Sequence, residues 1–342
     1  MELGILFTPP KPSEVAALAQ ASERAGFSLL ALGDSQSLFR EAYISLTVAA
    51  MSTTSIRIAT GVSNLVTRHP AVIASAAATL SEVSTGRFIL GLGTGDSSLY
   101  NLGLTGVSRQ QLSDGVETVR RLLRGETCTF QDHEIHVRWA DHHVPVYISA
   151  EGPKVLRLAG QIADGVIVGA GLLPEVVRGS LALIEQGAAD AGRAMQDIDV
   201  WFFAKSNIAD TVDEAVQGIK MALAASANHA FRFHRDGKWL PDELKPAVEQ
   251  LLRRYRPSEH EQIGDTANAR LTDELGLTDY LRDRFAVAGT PDTVSDRLEA
   301  LGEVGVKKLL LAGITPDPAG FVDRWRGEIR VVRKSSDGTF VQ

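Results

Sequence analysis

The sequence of 342 residues has very little cysteine: Cys128 is the only one. A single cysteine excludes an intrachain disulfide and suits a reducing compartment, so we expect a cytoplasmic protein. The sequence also lacks an uncharged apolar segment long enough to be convincing as a membrane span. Its N-terminus has no basic region followed by a long apolar stretch, so no signal peptide is expected.

Basic residues are fewer than acidic residues. The 35 Lys and Arg against 42 Asp and Glu give a formal net charge of -7. This balance favours solubility and argues against a nucleic-acid partner, whose backbone requires a basic surface. The motif GxSxG is missing as well, and Cys128 falls in a predicted external hairpin, so nucleophilic catalysis has little support.

Apolar runs alternate with amphipathic segments along most of the sequence. The runs that we predict as parallel strands are 3–7, 28–32, 56–59, 88–92, 145–149, 165–168, 199–204 and 307–311. Eight strands that alternate with helices are typical of a (β/α)8 TIM barrel, an α/β fold that commonly reaches this length as one domain. We therefore predict a single barrel domain over residues 1–342.

Two segments interrupt this alternation. Apolar and polar residues alternate about a polar turn near 126–140, which predicts a hairpin outside the barrel. The polar stretch near 226–284 predicts a mostly helical insertion. Residues 132–143 contain four histidines and three carboxylates, but ligands on a flexible hairpin lack fixed outer partners. A solvated hairpin is the simpler interpretation, and no metal site is predicted.

The second and third predicted helices carry almost no charge. No charged residue occurs over 42–56 or over 70–81. An outer helix of a barrel normally keeps a charged face toward solvent. We therefore predict a homodimer built on these two helices.

Glycine and acidic residues collect where predicted strands end, which is where barrel enzymes place their sites. Asp34 and Asp96 follow the second and fourth strands and are candidate catalytic acids or bases, although each can equally be a turn or capping carboxylate. Gly91, Gly93 and Gly95 do not match the spacing of a dinucleotide fingerprint. They are more consistent with a strand end that lets a flat ring approach the backbone.

Small residues also follow the fifth and sixth strands, at 149–154 and 169–171. Gly152 and Pro153 open a helix there, whose free N–H groups and positive dipole end suit a phosphate. Tight turns without a ligand explain the same residues equally well, and the pattern alone leaves both interpretations open.

Longer strings resemble a known family. GVSNLVTRHPAVIASAAATL at 61–80, followed by SEVSTGRFILGLGTGDS at 81–97, resembles the bacterial luciferase-like superfamily of flavin-dependent monooxygenases. The branch of greatest similarity is that of methylenetetrahydromethanopterin reductase, whose members use a deazaflavin or FMN. ALGDSQSLFREAY at 31–43, VPVYISAEGPKVLRLAGQIADGVIVGAG at 144–171 and FAVAGTPDTVSDRLEALGEVGVKKLLL at 285–311 also agree. The resemblance thus covers most of the chain.

The resemblance implies an FMN-dependent monooxygenase that oxidises a small organic substrate with O2, its reduced flavin supplied by a partner flavin reductase. The alternatives are a deazaflavin (coenzyme F420)-dependent reductase or dehydrogenase that transfers hydride, and a non-catalytic flavin-binding protein. Related deazaflavin dehydrogenases use a histidine and a glutamate after the second and fourth strands. Here Ser35 follows Asp34 where histidine is expected, and Asp96 takes the glutamate position, so that chemistry does not carry over intact.

The resemblance also implies which residues contact the cofactor. It places a non-proline cis peptide at Gly61–Val62 beside the flavin ring, with Ser63 and Asn64 near the ring edge, and it favours a phosphate in the loops after the fifth and sixth strands. The predicted cofactor-binding residues are Gly61, Val62, Ser63, Asn64, Thr94, Gly95, Ser149, Ala150, Glu151, Gly152, Pro153, Gly169 and Ala170. The predicted walls of the substrate pocket are Phe7, Phe39, Tyr100 and Trp201.

Overall fold

The computed structural model describes residues 1–100 and 102–329, together with the backbone of 333–334 and 340–341. Over these residues, no helix combines the length and the apolar character that crossing a membrane requires.

Eight parallel strands form a closed barrel. Neighbouring strands pair in chain order, and the eighth pairs with the first, with Glu2 opposite Lys308. The strands are Glu2–Phe7, Leu29–Leu32, Arg57–Thr60, Phe88–Gly93, Val146–Ala150, Gly165–Val168, Asp199–Ile208 and Lys308–Gly313. The predicted (β/α)8 fold is confirmed.

Helices surround the barrel, and most of them begin with proline, whose missing N–H costs nothing at the first helical position. They are Pro12–Arg24, Ala42–Ser52, Pro70–Val83, Ser97–Tyr100, Arg109–Leu123, Pro153–Ile162, Pro174–Asp190, Val212–Gln217, Pro291–Glu303 and Pro318–Glu328, with a short 3-10 turn at Met195–Asp197. The main core lies between these helices and the strands.

A smaller apolar cluster fills the barrel interior, and Trp201 is its largest member. A Cβ atom on Gly4 would lie 2.9 Å from the Trp201 ring, so glycine is needed beside it. At the N-terminal end of the barrel, Arg57 pairs with Glu2 at 2.6 Å and with Asp199 at 3.2 Å. Ion pairs therefore cover the N-terminal end of the barrel. The functional site is expected at the C-terminal end.

The predicted helical insertion is present and has its own apolar core. Its helices are Lys220–Phe231, Lys245–Arg254, Ala267–Glu274 and Thr278–Phe285, with 3-10 turns at Asp242–Leu244 and Pro257–Glu259. It leads into a strand that we did not predict, Ala286–Gly289, which pairs with the end of the seventh barrel strand. The external hairpin is also present but shorter than predicted, pairing Cys128–Phe130 with His133–Ile135.

Candidate active site

A cavity of about 1160 Å³, its open mouth included, lies at the C-terminal end of the barrel beneath the insertion. Loops after several barrel strands form one side, and the insertion forms the other. The predicted site residues on its walls are Asp34, Phe39, Gly61, Val62, Asp96, Ser149, Glu151 and Gly169. The structure thus brings together residues from five predicted strand ends.

The peptide bond Gly61–Val62 is cis, as predicted. A Cβ atom on Gly61 would lie 2.6 Å from Leu6 Cδ1, so a side chain does not fit there. Across from it, a Cβ atom on Gly91 would lie 2.2 Å from the Thr60 carbonyl oxygen. Gly91 thus lets the third and fourth strands approach closely, and Gly61 leaves room for Leu6 of the first strand. Val62 lines the cavity.

Asp34 is buried and tightly bound by its neighbours. Ser63 Oγ donates a hydrogen bond to it at 2.6 Å, and Arg68 donates two, at 2.5 and 3.2 Å. Arg68 also pairs with Glu41 at 2.5 Å. Because its oxygens accept these bonds, Asp34 is suited to fixing the loop at 61–68 in place.

Two other predicted cofactor residues form hydrogen bonds with neighbouring segments of the protein. Asn64 Oδ1 accepts backbone N–H bonds from Val66 and Thr67, both at 2.9 Å, and its Nδ2 donates to Ser98. The carbonyl oxygen of Ala170 accepts from Arg284. The remaining residues of this group do not line the cavity in the part of the chain that is described: Ser63, Thr94, Gly95, Ala150, Gly152 and Pro153.

Asp96 is the centre of an ion-pair network. The imidazole Nε2 of His229 contacts one carboxylate oxygen of Asp96, and Arg232 and the Tyr100 hydroxyl contact the other. The Nδ1 atom of the same imidazole lies 3.3 Å from Glu151 Oε1. His229 is thus held between carboxylates that follow the fourth and fifth strands.

These carboxylates control the protonation of His229. Burial acts to lower its pKa, but the negative charges of Asp96 and then Glu151 outweigh that effect and raise the pKa to about 9. A nearby opposite charge favours the charged form of an imidazole. His229 therefore faces the cavity as an imidazolium at neutral pH.

A second group of polar side chains joins the seventh barrel strand to the insertion. Lys205 Nζ pairs with Glu261 at 2.7 Å, and Lys205 outweighs burial to lower the pKa of Glu261 to about 2. The hydroxyl of Tyr255 lies 2.6 Å from His260 Nδ1. Burial lowers the pKa of His260, which favours its neutral form.

Single ligand atoms of Asp96, His229 and His260 lie within 4.8 Å of one another, a spacing that a metal can bridge. However, Asp96 already pairs with Arg232, and the proton on His229 competes directly with a metal ion. We interpret the group as an ion-pair network.

Two of the four predicted pocket residues lie away from the cavity. Trp201 has no exposed surface and lies near the N-terminal end of the barrel, where its Nε1 donates to Asp199 at 3.1 Å. Successive inward side chains of a strand are two residues apart, so Phe203 and Lys205 reach the cavity.

The same alternation explains the position of Phe7. Leu6 and Thr8 line the cavity, so Phe7 points to the helix side and packs edge-on against Phe321 with ring centroids 5.9 Å apart. Phe39 does line the cavity. Tyr100 does not line the cavity; it is 41% exposed, and its hydroxyl contacts Asp96, which does line it.

Sequence reasoning missed His229, Arg232, Lys205, His260 and Glu261. Four of them lie in the segment interpreted only as a polar insertion, far in sequence from Asp96. Lys205 gave a usable signal, because a lysine follows the apolar run 200–204 in a predicted buried strand. A charge in that position requires a buried partner or a functional reason.

Two relatives that match most of this chain are, by name, a reductase and a dehydrogenase. It is 30% identical over 328 residues to the 5,10-methylenetetrahydromethanopterin reductase of Methanolobus tindarius, covering 91% of this chain and 93% of that protein. It is also 30% identical over 320 residues to the F420-dependent glucose-6-phosphate dehydrogenase of Nakamurella multipartita, covering 87% and 86%. Both matches extend across the barrel and the insertion.

Solved structures agree with these relatives. The coenzyme F420-dependent tetrahydromethanopterin reductase of Methanopyrus kandleri superposes with a TM-score of 0.75 at 27% identity, covering 96% of this chain and 97% of that one. A monooxygenase from Streptomyces bottropensis shares the fold, with a TM-score of 0.67 at 21% identity and coverages of 96% and 98%.

The family model described as luciferase-like monooxygenase matches residues 3–308. This match spans all but the ends of the chain, and the relatives include the branch that the sequence resembles. The chain is therefore an oxidoreductase and belongs to the luciferase-like monooxygenase family.

Proposed function

We propose that this protein is a coenzyme F420-dependent oxidoreductase that transfers a hydride between the deazaflavin and a carbon–oxygen or carbon–nitrogen double bond of a small organic substrate. Two kinds of support favour it over the FMN monooxygenase expected from the sequence. Both relatives at 30% identity are reductases or dehydrogenases by name. The site also presents a fixed proton donor, which reduction of such a double bond requires.

The position of His229 between Asp96 and Glu151, on the wall of the cavity, is the observation that carries this proposal. Bound F420 would supply the hydride chemistry. The chain would supply a bent backbone at Gly61–Val62 on one wall of the cavity and an imidazolium on another. Asp96 and Glu151 orient the imidazole and stabilise its charge. His229 would donate a proton to the substrate during reduction and accept one during oxidation.

The FMN monooxygenase is the second candidate, because the matching family model is described by that activity. The two candidates differ in the cofactor that binds and in the use of oxygen. A purely flavin-binding protein would not need the half-buried ion-pair network around Asp96, because storage requires no proton donor.

Cofactor titration separates these candidates. We expect F420 to bind at least about tenfold more tightly than FMN, a difference of about 1.4 kcal/mol. Quenching of intrinsic or deazaflavin fluorescence under anaerobic conditions measures both affinities. Tight FMN binding, with oxygen uptake when reduced FMN is supplied, would instead establish the monooxygenase.

We also propose that the protein is a homodimer, because the second and third helices leave large apolar side chains exposed. The exposed fractions are 62% for Ile44, 76% for Met51 and 55% for Val72. Large apolar side chains exposed together are typical of an interface. The two helices also pack on one another, so these side chains lie on neighbouring elements.

Charge placed on this surface should dissociate the dimer. We expect Ile44→Glu combined with Val72→Glu to shift the protein from dimer to monomer in sedimentation velocity, because two buried carboxylates per subunit lack partners. Ile263→Glu, an exposed apolar position on the insertion, is the matched control and should remain dimeric. A wild-type protein that sediments as a monomer at micromolar concentration would contradict the proposal.

A further inference from the structure

Lys205 lies on the cavity wall and is paired with a carboxylate from the insertion. Its side chain is 7% exposed, and its Nζ atom lies 2.7 Å from Oε1 of Glu261, whose side chain is 17% exposed. The same Nζ atom lies over the Phe203 ring, 5.0 Å from the ring centroid. All three residues line the cavity. A molecule in the cavity therefore meets an ion pair at this position and not a free ammonium group.

The loop that carries Glu261 is held in place by its neighbours. Asn268, which is 1% exposed, accepts a hydrogen bond from the Arg256 N–H at 2.8 Å and donates one to the Arg256 carbonyl at 2.9 Å. Glu261 has a φ of 53°, a left-handed conformation that persists in a residue other than glycine where its surroundings fix it. The carboxylate of Glu261 is thus a fixed partner of Lys205, in place before any ligand arrives.

This ion pair lies beside the proposed proton donor. The ring centroids of His229 and His260 are 6.2 Å apart, and His260 directly precedes Glu261 in the chain. The charge of His229 also acts on Glu261 and contributes to lowering its pKa. A substrate that accepts a proton from His229 is therefore within reach of Lys205 and Glu261.

The charges on the cavity wall are already balanced. Four carboxylates line the cavity, and each has a cationic partner: Arg68 for Asp34, Arg232 for Asp96, His229 for Glu151 and Lys205 for Glu261. Burial lowers the pKa of His260, which favours its neutral form. A phosphate or carboxylate that entered would face these carboxylates, and like charges brought together at a binding site disfavour the complex.

We propose that Glu261 is a specificity-determining residue: by neutralising Lys205, it restricts the substrate to carbonyl compounds or imines that carry no phosphate or carboxylate beside His229. This selection acts at the site of the proposed function and rests on that function for the reaction. An ammonium has three N–H donors. One of them bonds Glu261, so a neutral hydroxyl or carbonyl oxygen can still bind to Lys205.

Removal of the carboxylate charge tests the proposal. Glu261→Gln keeps the shape of the side chain but leaves the Lys205 ammonium without a counterion. We expect this variant to bind inorganic phosphate at least about tenfold more tightly than wild type, because an uncompensated buried cation attracts an anion. Isothermal titration calorimetry of the cofactor-free protein at constant ionic strength measures the affinity. Addition of Lys205→Met to Glu261→Gln should return it to within about threefold of wild type.

Asp273→Asn is the matched control within the insertion. It frees Lys220, whose side chain is 8% exposed and pairs with Asp273 at 2.5 Å. Neither of these two described residues lines the cavity, and Asp273 is 53% exposed, so we expect a phosphate affinity within about threefold of wild type.

Three results would overturn the proposal. In the first, wild type and Glu261→Gln bind phosphate equally. In the second, Asp273→Asn gains as much affinity as Glu261→Gln does. In the third, wild type binds phosphate and the single variant Lys205→Met abolishes that binding, which would show that an anion displaces Glu261. The third comparison does not require Glu261→Gln to fold.

Steady-state kinetics with reduced F420 extend the test to substrates. Cyclohexanone and 4-oxocyclohexanecarboxylate differ by one carboxylate. We expect the wild-type kcat/KM to be at least about tenfold higher for the neutral ketone, and Glu261→Gln to reduce this preference at least about threefold. A wild type that prefers the carboxylate would contradict the selection. If phosphate binds as expected but neither ketone oxidises reduced F420, the failure lies with the proposed reaction, and the exclusion of anions by Glu261 stands.

Discussion

Replacement of His229 by glutamine should lower the turnover number at least about a hundredfold, the usual contribution of a positioned general acid. Glutamine can still bond Asp96 or Glu151, but it cannot carry the proton. We therefore expect cofactor affinity to stay within about threefold of wild type, as for a group that acts in the transition state. Steady-state kinetics with F420, together with fluorescence titration, separates the two effects.

The pH profile gives the same variant a second readout. The pKa of His229 is raised from 6.5 to about 9, so the acid form persists at neutral pH, and substrate reduction should slow as pH rises through 9. The stabilisation of the fold by this ion pair follows the same direction. It is complete below about pH 6.5 and is lost as pH rises through the folded pKa near 9.

In His229→Gln, both the fall in reduction rate and the loss of fold stability at alkaline pH should disappear. His234→Gln is the matched control, because His234 is exposed and lies five residues further along the chain. It should keep the wild-type rate and pH profile. If His229→Gln keeps the wild-type turnover number and the wild-type decline in rate at alkaline pH, His229 is not the proton donor.

Replacement of Arg284 by methionine should destabilise the protein by about 3 kcal/mol or more, because several buried acceptors lose a charged donor at once. The guanidinium is 1% exposed. It donates to the carbonyls of Ala170 at 2.9 Å, Lys238 at 2.6 Å and Trp239 at 3.0 Å, and to the Tyr280 hydroxyl at 2.6 Å. Arg284 thus ties the insertion to the end of the sixth barrel strand.

Urea denaturation measures the loss, and hydrogen exchange locates it in the insertion and in the loop at 169–171. Arg284→Lys should be nearly as damaging, since an ammonium cannot reproduce the planar fork. Arg282→Met is the control on the same helix: its partner Asp279 is exposed, so less than about 1 kcal/mol is expected. Equal stability of Arg282→Met and Arg284→Met would show that the buried contacts do not hold the insertion.

The sequence predicts the barrel well because buried parallel strands form continuous apolar runs. Phe88–Gly93 is such a run, and so is Gly165–Val168. The strand Ala286–Gly289 is not predicted because it has only four residues and is flanked in the sequence by two helices, one ending at Phe285 and the next beginning at Pro291. Its pairing depends on the seventh strand extending beyond the barrel, which no local pattern signals.

The site is only partly visible in the sequence. Asp34, Asp96 and the glycines stand out because they directly follow strands, and chain position alone places them at the mouth. The contact of His229 with Asp96 joins segments far apart in the chain, so no spacing predicts it. The errors at Phe7 and Trp201 have another cause. An apolar run shows that a strand is buried on both faces but not which side chains point inward or how deep they lie.

The pairing of Glu2 with Lys308 joins the two ends of the barrel sequence. During synthesis, the first strand therefore lacks one of its two neighbours until the last strand has left the ribosome. Its open edge is a template for pairing with other chains during that interval. The insertion packs largely within its own stretch of sequence, so local contacts are available to it earlier. The part of the molecule that covers the site can thus fold before the barrel whose mouth it covers has closed.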